Sequence, residues 1–439
     1  MHPSRAIRGR RSELLAGRRV IIGISGSIAA VEVPRIAREL IRHGAEVRAV
    51  MSSEATRIIT PEAIQFATGH PPVLQLSGDV EHVQLLGPGE GRADLLLIAP
   101  ATANTLSKIA HGIDDTPVTT FASVALGGGV PVLIAPAMHA DMGRNPAVRE
   151  NLERLAKWGV GVIASQSAEG EEKLASPEEV AAAVLHRIAR GPWAGRRVVV
   201  IGGASRESID DVRTITNESS GETAVALATQ AFYRGAAVEF WVGSLKVPVP
   251  PFLPHVAWRG VGDLLELARR HRETLARADA VFVPAALSDF TLLARPGKIR
   301  SSGIKRLELA LNAAPKLLPE LRRLAPRPCR LVGFKLESGN DAPALEAAAR
   351  ELLVSSQLDW VVANDARVLG TPETTVLVLS RNGSVHRLAG PKMEVAGKLL
   401  DDIGRAVADE SSARRPPAPA GRRSRGGVAT RSADSSPSR

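Results

Sequence analysis

The sequence predicts an α/β protein with two domains, each a three-layer unit in which a mainly parallel sheet lies between helices. Short apolar runs alternate with segments of helical spacing along most of the 439 residues, a pattern typical of parallel sheets. The strand that opens the first half, Arg-Arg-Val-Ile-Ile-Gly23, has a close counterpart in Arg-Arg-Val-Val-Val-Ile-Gly202. Between the two halves, residues 187–195 carry the Gly and Pro of a domain boundary, and the chain is too long for one ordinary core.

Five strands are predicted in the first half. They lie at residues 18–24, 47–51, 95–99, 130–135 and 160–164. A helix is predicted after the first strand, ending near Arg42, with Ile28, Val31, Ile36 and Leu40 at helical spacing. The unbroken apolar run at residues 95–99 predicts a strand that is buried on both faces.

Small and polar residues follow these strands where each one ends. Gly26 and Ser27 follow the first strand, Ser52 follows the second, and Thr102, Asn104 and Thr105 follow the third. Ligands of parallel sheets bind at the carboxyl ends of the strands, so this edge is the predicted ligand site. Taken alone, the Gly26 loop has two equally weighted interpretations, which are a phosphate-binding loop and a simple turn.

Three motifs in order give the first half a family resemblance. They are His82 in His-Val-Gln-Leu, the segment from Pro100 to Thr105, and Pro136-Ala137-Met138. With them the chain resembles the flavin-dependent phosphopantothenoylcysteine decarboxylases, within the wider family of homo-oligomeric cysteine decarboxylases. The resemblance implies FMN as cofactor and a homo-oligomer with flavin sites at subunit contacts.

The resemblance also implies roles for single residues. His82 is the implied acid/base, although a lone histidine is by itself more often a surface or capping residue. The implied FMN contacts are Gly26, Ser27, Ser52, Thr102, Asn104 and Thr105. The implied substrate contacts are Pro136, Ala137, Met138 and His139.

Two departures from the common bacterial pattern point to a variant of the family. His139 stands where that pattern has Asn, and residues 167–180 lack the Cys that acts on the enethiolate there. Both features resemble the archaeal branch of the bifunctional family. His139 either binds the substrate carboxylate or replaces a hydrogen bond of the Asn.

The second half is predicted to be a second, Rossmann-like domain. Its strands are predicted at residues 195–202, 237–242, 280–284, 330–334, 360–363 and 375–379. A small antiparallel addition is expected around Asn382 and Gly383, a dipeptide that favours a hairpin turn.

The loops of the second half resemble those of the phosphopantothenate-cysteine ligase domain. The most specific element is Asn217-Glu-Ser-Ser-Gly221. The implied reaction activates 4'-phosphopantothenate on CTP or ATP, releases pyrophosphate and joins the acyl group to cysteine, with Mg²⁺ bridging the triphosphate. The implied catalytic residues are Asn217 and Lys298. The implied nucleotide contacts are Asp289, Gly333, Phe334 and Lys335, and the implied substrate contacts are Ser219, Ser220 and Gly221.

This second resemblance also has gaps. Glu222 stands where bacterial relatives have Lys, and Ser355, Ser356 and Gln357 stand where they have basic residues. Triphosphate binding then needs other cations, and the nearest candidates are Lys335 and Lys316.

Charge and cysteine content limit the other classes of function. The net charge is +10, but the arginines of residues 1–19 and 411–439 account for it, and aromatic residues make up 3%. No basic face for nucleic acid is therefore expected. The chain has one cysteine, Cys329, interpreted as a structural thiol, and no uninterrupted apolar run long enough to span a membrane. We expect a cytoplasmic protein without a nucleic-acid or membrane partner.

These patterns together predict a bifunctional enzyme of coenzyme A biosynthesis. The predicted parts are a decarboxylase domain at 1–190, a ligase domain at 191–408 and a disordered basic tail at 409–439. Its ligands are then 4'-phosphopantothenate, cysteine and a nucleoside triphosphate. Two alternatives remain, which are a protein with only one active half and a regulatory protein that binds flavin or nucleotide without turnover.

Overall fold

The computed structural model describes residues 2–164, 166–168, 171–300, 302, 305–339, 342–368 and 370–413. For residues 166–168, 171, 172, 368 and 408–413 it describes the backbone only. The last helix extends to Ala413, a few residues into the segment predicted as tail. Residues 414–439 lie outside the described residues.

The first domain has a five-stranded parallel sheet and a small antiparallel sheet. Its strands are β1 Arg19–Ile24, β2 Glu46–Met51, β3 Leu95–Ala101, β4 Val132–Pro136, β5 Met138–His139, β6 Gly161–Val162, β7 Gln166–Ala168 and β8 Glu171–Lys173. Its helices are α1 Pro3–Ala6, α2 Val33–Arg42, α3 Ser53–Thr56, α4 Pro61–Thr68, α5 Glu81–Leu86, α6 Ala103–Ala110, α7 Pro117–Gly128, α8 Ala140–Arg144, α9 Pro146–Lys157 and α10 Pro177–Ile188, with a 3₁₀ helix at Ile28–Glu32. The parallel sheet has the order β2-β1-β3-β4-β6, and β5, β8 and β7 form the small sheet.

Strand β3 lies at the centre of the first core. All seven of its residues are buried. Leu97 packs in the apolar cluster that contains α2 and α10, whereas Leu96 and Ile98 pack in the cluster that contains α6 and α7. Successive side chains of a strand point to opposite faces, so helices must cover both faces of this sheet.

The helix predicted after β1 is interrupted. A 3₁₀ helix at Ile28–Glu32 precedes α2, and the helical spacing predicted across both does not form one buried face. Ile36 is fully buried, but Ile28 is 76% exposed and Val31 is 49% exposed. The reason is Pro34, which lacks a backbone N–H and cannot continue an α-helix from the preceding turn.

The second domain has an eight-stranded mixed sheet and two short antiparallel ladders. Its strands are β9 Arg197–Gly202, β10 Arg206–Ser208, β11 Thr214–Thr216, β12 Ala237–Val242, β13 His255–Ala257, β14 Ala280–Val283, β15 Phe290–Thr291, β16 Asn312–Ala313, β17 Arg330–Glu337, β18 Trp360–Asp365, β19 Glu373–Ser380 and β20 Val385–Pro391. Its helices are α11 Glu222–Tyr233, α12 Val261–Arg270, α13 Arg272–Ala276, α14 Leu317–Leu324, α15 Ala342–Ser355 and α16 Lys392–Ala413, with a 3₁₀ helix at Ala366–Val368.

Strand direction in this sheet decides where its last helix begins. The strand order is β13-β12-β9-β14-β17-β18-β19-β20. Neighbouring strands are parallel from β13 to β18, whereas β19 is antiparallel to both β18 and β20. The β19–β20 hairpin is the antiparallel addition predicted around Asn382 and Gly383. Because two reversals restore the original direction, β20 ends at the same edge as β17 and β18. Helix α16 therefore begins at the carboxyl edge of the parallel strands.

Aromatic contacts connect the two domains. The His186 ring on α10 stacks on Phe232 of α11, with ring centroids 4.2 Å apart. Tyr233 packs against the first core and faces His43. Trp193, in the segment between the domains, is 1% exposed and donates its indole N–H to the Leu400 carbonyl over 2.7 Å. Across the described residues, none of the helices is long and apolar enough to cross a membrane.

Trp193→Ala tests how much the connecting segment contributes to the second core. The substitution leaves a large cavity and removes the hydrogen bond to the Leu400 carbonyl, so the free energy of unfolding of the second domain should fall by about 3–5 kcal/mol in denaturant titrations. Trp158→Ala, at a position 53% exposed, is the matched control and should change it by no more than about 0.5 kcal/mol. Equal effects of the two substitutions would contradict the role of Trp193.

Candidate functional site

The first candidate site lies at the carboxyl edge of β1, β2 and β3, where a glycine allows a close contact. A Cβ added to Gly26 would lie 2.3 Å from the Glu54 Cβ. The loop after β1 therefore lies directly against the start of α3, and no larger residue fits without displacing one of them.

Three of the predicted cofactor contacts are helix caps at this edge. The side chains of Ser27, Ser52 and Thr102 accept hydrogen bonds from the amides of Ala29, Ala55 and Thr105. They begin the 3₁₀ helix, α3 and α6. Because β1, β2 and β3 are parallel, three helical N-termini open at one edge, and their partial positive charge favours an anionic ligand.

Ser25 is a site residue that the sequence reasoning passes over. It is buried, donates to the Pro100 carbonyl over 2.6 Å, and accepts from the Thr102 amide over 3.1 Å. It holds the loop after β1 against the loop after β3. The available signal is its position directly after a buried strand.

The other predicted residues of this edge differ in exposure. Thr105 is buried and accepts from the Thr102 hydroxyl over 3.0 Å, whereas Asn104 is exposed. Pro136 and Ala137 are buried at the end of β4, and the Ala137 amide donates to the Ala101 carbonyl. Met138 is half-buried.

His139 makes a local hydrogen bond at the start of α8. Its Nδ1 accepts from the Asp141 amide over 3.3 Å, and the ring is exposed. This is a hydrogen bond that other capping side chains could also make, and both interpretations of His139 stay open. His139 pairs with Glu171 of β8, beside the short Glu-Gly run, in which residues 169 and 170 lie outside the described residues.

His82 carries an unsatisfied ring nitrogen. It is half-buried on α5, and its Nδ1 is inaccessible to solvent and has no hydrogen-bond partner among the described residues. Helix α5 packs on α7, which in turn packs against the strands of the first sheet. A buried polar atom without a partner is costly, so this ring is suited to a hydrogen bond from a ligand or a second chain.

The second candidate site is a cleft at the carboxyl edge of β14, β17 and β18, between the first turns of α11 and α16. Five of the predicted residues line it: Ser219, Ser220, Gly221, Phe334 and Lys335. Asn364 and Lys392 line it as well, and sequence reasoning missed both as site residues. The apolar part of the lining comes from Leu227, Val362, Val376, Val395 and Leu399. The cleft can hold a ligand with one apolar and one anionic part.

The lysines at and near the cleft all have carboxylate partners. Lys335 lies 2.8 Å from Glu337, and Lys392 pairs with Glu222. The Lys316 ammonium lies 2.7 Å from the Asp289 carboxylate on the exposed side of the site. Lys316 is one of the two predicted cations and Asp289 is a predicted nucleotide contact, so these two predicted residues form an ion pair with each other.

Asn217 and Gly333 lie outside this lining. The Asn217 side chain donates to the Leu287 carbonyl over 2.8 Å. A Cβ added to Gly333 would lie 2.5 Å from Leu358, on the face of the sheet opposite to the cleft. Gly333 is therefore better explained by packing than as a lining residue, because neighbours along a strand face opposite sides.

Lys298 lies on an exposed loop that carboxylates hold in place. The Ile299 amide donates to Asp210 and the Gly297 amide donates to Asp211. Asp210 also accepts from the amides of Val212 and Arg213. Burial acts to raise its pKa, but these amide donors outweigh burial, so the pKa of Asp210 lies below its ordinary value. Asp210 is thus an anchor of the Lys298 loop.

Ser205 joins the loops that surround the second site. It is fully buried, and its hydroxyl accepts from the Ser288 amide over 2.9 Å. Its carbonyl accepts from the Thr216 hydroxyl.

Cys329 is buried at the opposite end of the sheet, and burial raises the pKa of its thiol to about 12, which agrees with a structural thiol.

The comparisons with known proteins match two successive parts of the chain to two families. Residues 8–189 match the family described as Flavoprotein, and residues 193–406 match the family described as DNA/pantothenate metabolism flavoprotein C-terminal domain. The fold and these two family matches together define a two-domain flavoprotein of pantothenate metabolism.

More specifically, the chain belongs to the family of the coenzyme A biosynthesis bifunctional protein CoaBC. It is 42% identical over 404 residues to the protein of that name from Thermococcus kodakarensis, covering 92% of this chain and 99% of the relative. It is 34% identical over 411 residues to that of Methanocaldococcus jannaschii, covering 93% and 98%. It is 30% identical over 367 residues to that of Escherichia coli, covering 80% and 87%. The predicted fold class and the predicted family, with its archaeal character, are confirmed.

Asp210→Asn tests the anchoring of the Lys298 loop. The amide side chain keeps the size but loses the charge and one acceptor, so hydrogen exchange of the Ile299 amide should accelerate about tenfold or more. Exchange measured on peptides covering residues 295–300 checks this. Asp401→Asn, in the exposed pair with Arg234, is the control and should leave those peptides unchanged. Unchanged exchange in Asp210→Asn would show that other contacts hold the loop.

Proposed function

We propose that this chain catalyses both steps of its family's name: ligation of 4'-phosphopantothenate to cysteine in the second domain, and decarboxylation of the product to 4'-phosphopantetheine in the first. The observation that carries the proposal is the 42% identity to a bifunctional relative over 404 residues, which include both domains. An arrangement with only one active half remains the second candidate, because the Cys of the bacterial pattern is missing from the first domain.

For the first domain we propose FMN as the flavin. The bound flavin would supply the two-electron oxidation of the substrate thiol and the matching reduction after loss of carbon dioxide. The residues that would hold it are Ser27, Ser52 and Thr102 with the helical N-termini that they cap, together with Asn104 and Thr105. The three helical N-termini fit the phosphate, and the short distance from Gly26 to Glu54 fixes the loop beside it.

His82 is the proposed acid/base of the decarboxylation. The resemblance of its His-Val-Gln-Leu motif supports this role, because an imidazole ring can act as a general acid or base. Pro136, Ala137, Met138 and His139 are the proposed substrate contacts, because they follow β4 at the same edge.

For the second domain we propose acyl activation on CTP or ATP. The 4'-phosphopantothenate carboxylate attacks the α-phosphorus, pyrophosphate leaves, and the cysteine amine displaces the nucleotide. We propose Mg²⁺ as the ion that accompanies the nucleotide, where it would reduce the negative charge of the triphosphate. Asn217 and Lys298 are the proposed stabilisers of developing charge, with Lys298 delivered by its anchored loop. Ser219, Ser220 and Gly221 are the proposed substrate contacts, Phe334 and Lys335 the proposed nucleotide contacts, and Asp289 becomes available once Lys316 releases it.

We further propose a cytoplasmic homo-oligomer. The exposed side chains of Ile28 and Val31 beside the first site support an interface there. The lone cysteine of the chain suits a reducing compartment.

The flavin half is tested on purified protein. We expect a yellow protein that releases FMN on denaturation, and His82→Asn should lower carbon dioxide release by about 10²–10⁴-fold while pyrophosphate release continues. His111→Asn is the matched control, because the His111 ring already bonds to the Ser107 carbonyl. A colourless protein that cannot be reconstituted with FMN would eliminate the decarboxylase half.

The ligase half is tested by omitting single substrates. With Mg²⁺, 4'-phosphopantothenate and the correct nucleotide, pyrophosphate should stop near one equivalent per site and continue only when cysteine is added. CTP and ATP are run in parallel, so the assay also identifies the nucleotide. No pyrophosphate with either nucleotide would eliminate the ligase half.

A further inference from the structure

The cleft of the second domain contains an ion pair that none of the roles above explains. Lys392, the first residue of α16, directs its ammonium group to the Glu222 carboxylate, the first residue of α11. The Lys392 side chain is 11% exposed and that of Glu222 is 36% exposed, and both line the cleft.

This pair joins two helices that start at the same edge of the sheet. Glu222 gives the start of α11 a negative charge, and the start of α16 provides the matching cation. Lys392 stands beside that position in space, although 170 residues separate the two in sequence. The cation is thus present in the cleft but comes from a different helix.

We propose that Lys392 binds a phosphate group of the ligase ligands, and that Glu222 holds the Lys392 ammonium until the phosphate displaces it. This inference rests on the proposed function, because it assigns a residue to the ligase cleft. The shared chemistry is a phosphate group, whether it belongs to the nucleotide or to 4'-phosphopantothenate.

The surroundings of Lys392 favour an anion. The N-cap of α11 is Gly221, which has no side chain to cap the helix, so the start of this twelve-residue helix faces the cleft with its partial positive charge. The other titratable residues of the lining are Glu218, which lies 2.7 Å from Lys246, and Lys335, which lies 2.8 Å from Glu337. Both have partners outside the Lys392 pair.

The apolar side of the cleft strengthens the interaction. Leu227, Val395 and Leu399 border the cleft beside Lys392. They limit the access of water, so a charge interaction there is stronger than on an open surface. A lysine this poorly exposed needs a counter-ion in every state, and Glu222 provides one in the absence of ligand.

A purely structural ion pair between α11 and α16 is the competing explanation, and it predicts a different sign. If the pair only holds the helices together, Lys392→Gln and Glu222→Gln both lower stability, and any effect on affinity has the same direction. If Lys392 binds phosphate, Lys392→Gln weakens binding, whereas Glu222→Gln removes a competing carboxylate and strengthens it.

The experiment uses the full chain and calorimetric titration of three separate probes, CTP, ATP and 4'-phosphopantothenate, each with Mg²⁺. We expect Lys392→Gln to weaken at least one probe about tenfold or more, and Glu222→Gln to strengthen the same probe severalfold. The double variant should resemble Lys392→Gln. Lys398→Gln and Glu394→Gln form the matched control pair on the exposed face of the same helix, 4.0 Å apart, and should leave all affinities unchanged.

The arms of this experiment separate the possible failures. The probe whose affinity changes identifies the phosphate that Lys392 contacts. Unchanged affinity for every probe in Lys392→Gln would overturn the inference. Weaker binding in both single variants, together with a lower melting temperature, would also overturn it. In either case, pyrophosphate release by the wild-type protein would still support the proposed ligase function. A wild-type protein that neither binds a probe nor releases pyrophosphate would overturn the proposed function and this inference together.

Discussion

Burial of the parallel strands on both faces is the constraint on which the rest of this structure depends. Strand β3 has no accessible residue, and its alternate side chains belong to two different apolar clusters. A parallel strand needs a crossover connection, and here helices provide the crossovers and cover both faces. All carboxyl ends of such strands meet at one edge, together with the N-termini of the helices that follow. Both candidate sites are consequences of this arrangement, before any particular residue is chosen.

The two sites use this edge in different ways. In the first domain, short side chains cap the helices and leave the edge without a lysine or arginine among the predicted contacts, so backbone amides and helical N-termini provide the attraction for an anion. In the second domain, charged side chains enter the cleft, and the lysines there are paired with carboxylates. Paired charges limit the cost of burying a cation when no ligand is bound. They also make binding an exchange of partners, in which only a strongly anionic ligand competes with a carboxylate.

Aromatic rings form part of the contact between the domains. Phe232 and Tyr233, at the end of α11, pack against His186 and His43 of the first domain. Burial raises the pKa of Tyr233 to about 12, so this phenol stays neutral at physiological pH and adds no charge to the interface. Helix α11 thus borders the cleft of the second domain with its first turn and contacts the first domain with its last turn.

The local sequence pattern determined the strands, the alternation that makes the sheets parallel, and the side chains that cap the helices, because periodic burial and capping depend on neighbours in the chain. The strand predicted at residues 237–242 matches the observed Ala237–Val242. Features that depend on distant parts of the chain were decided only by the tertiary structure. Pro34 interrupts the helical spacing and leaves Ile28 exposed, strand alternation turns Gly333 away from the cleft, and the reversals of β19 and β20 bring Lys392 to Glu222. No local periodicity encodes a contact between residues 170 positions apart. The sequence could therefore predict that the second site needs cations, but not that Lys392 provides one of them.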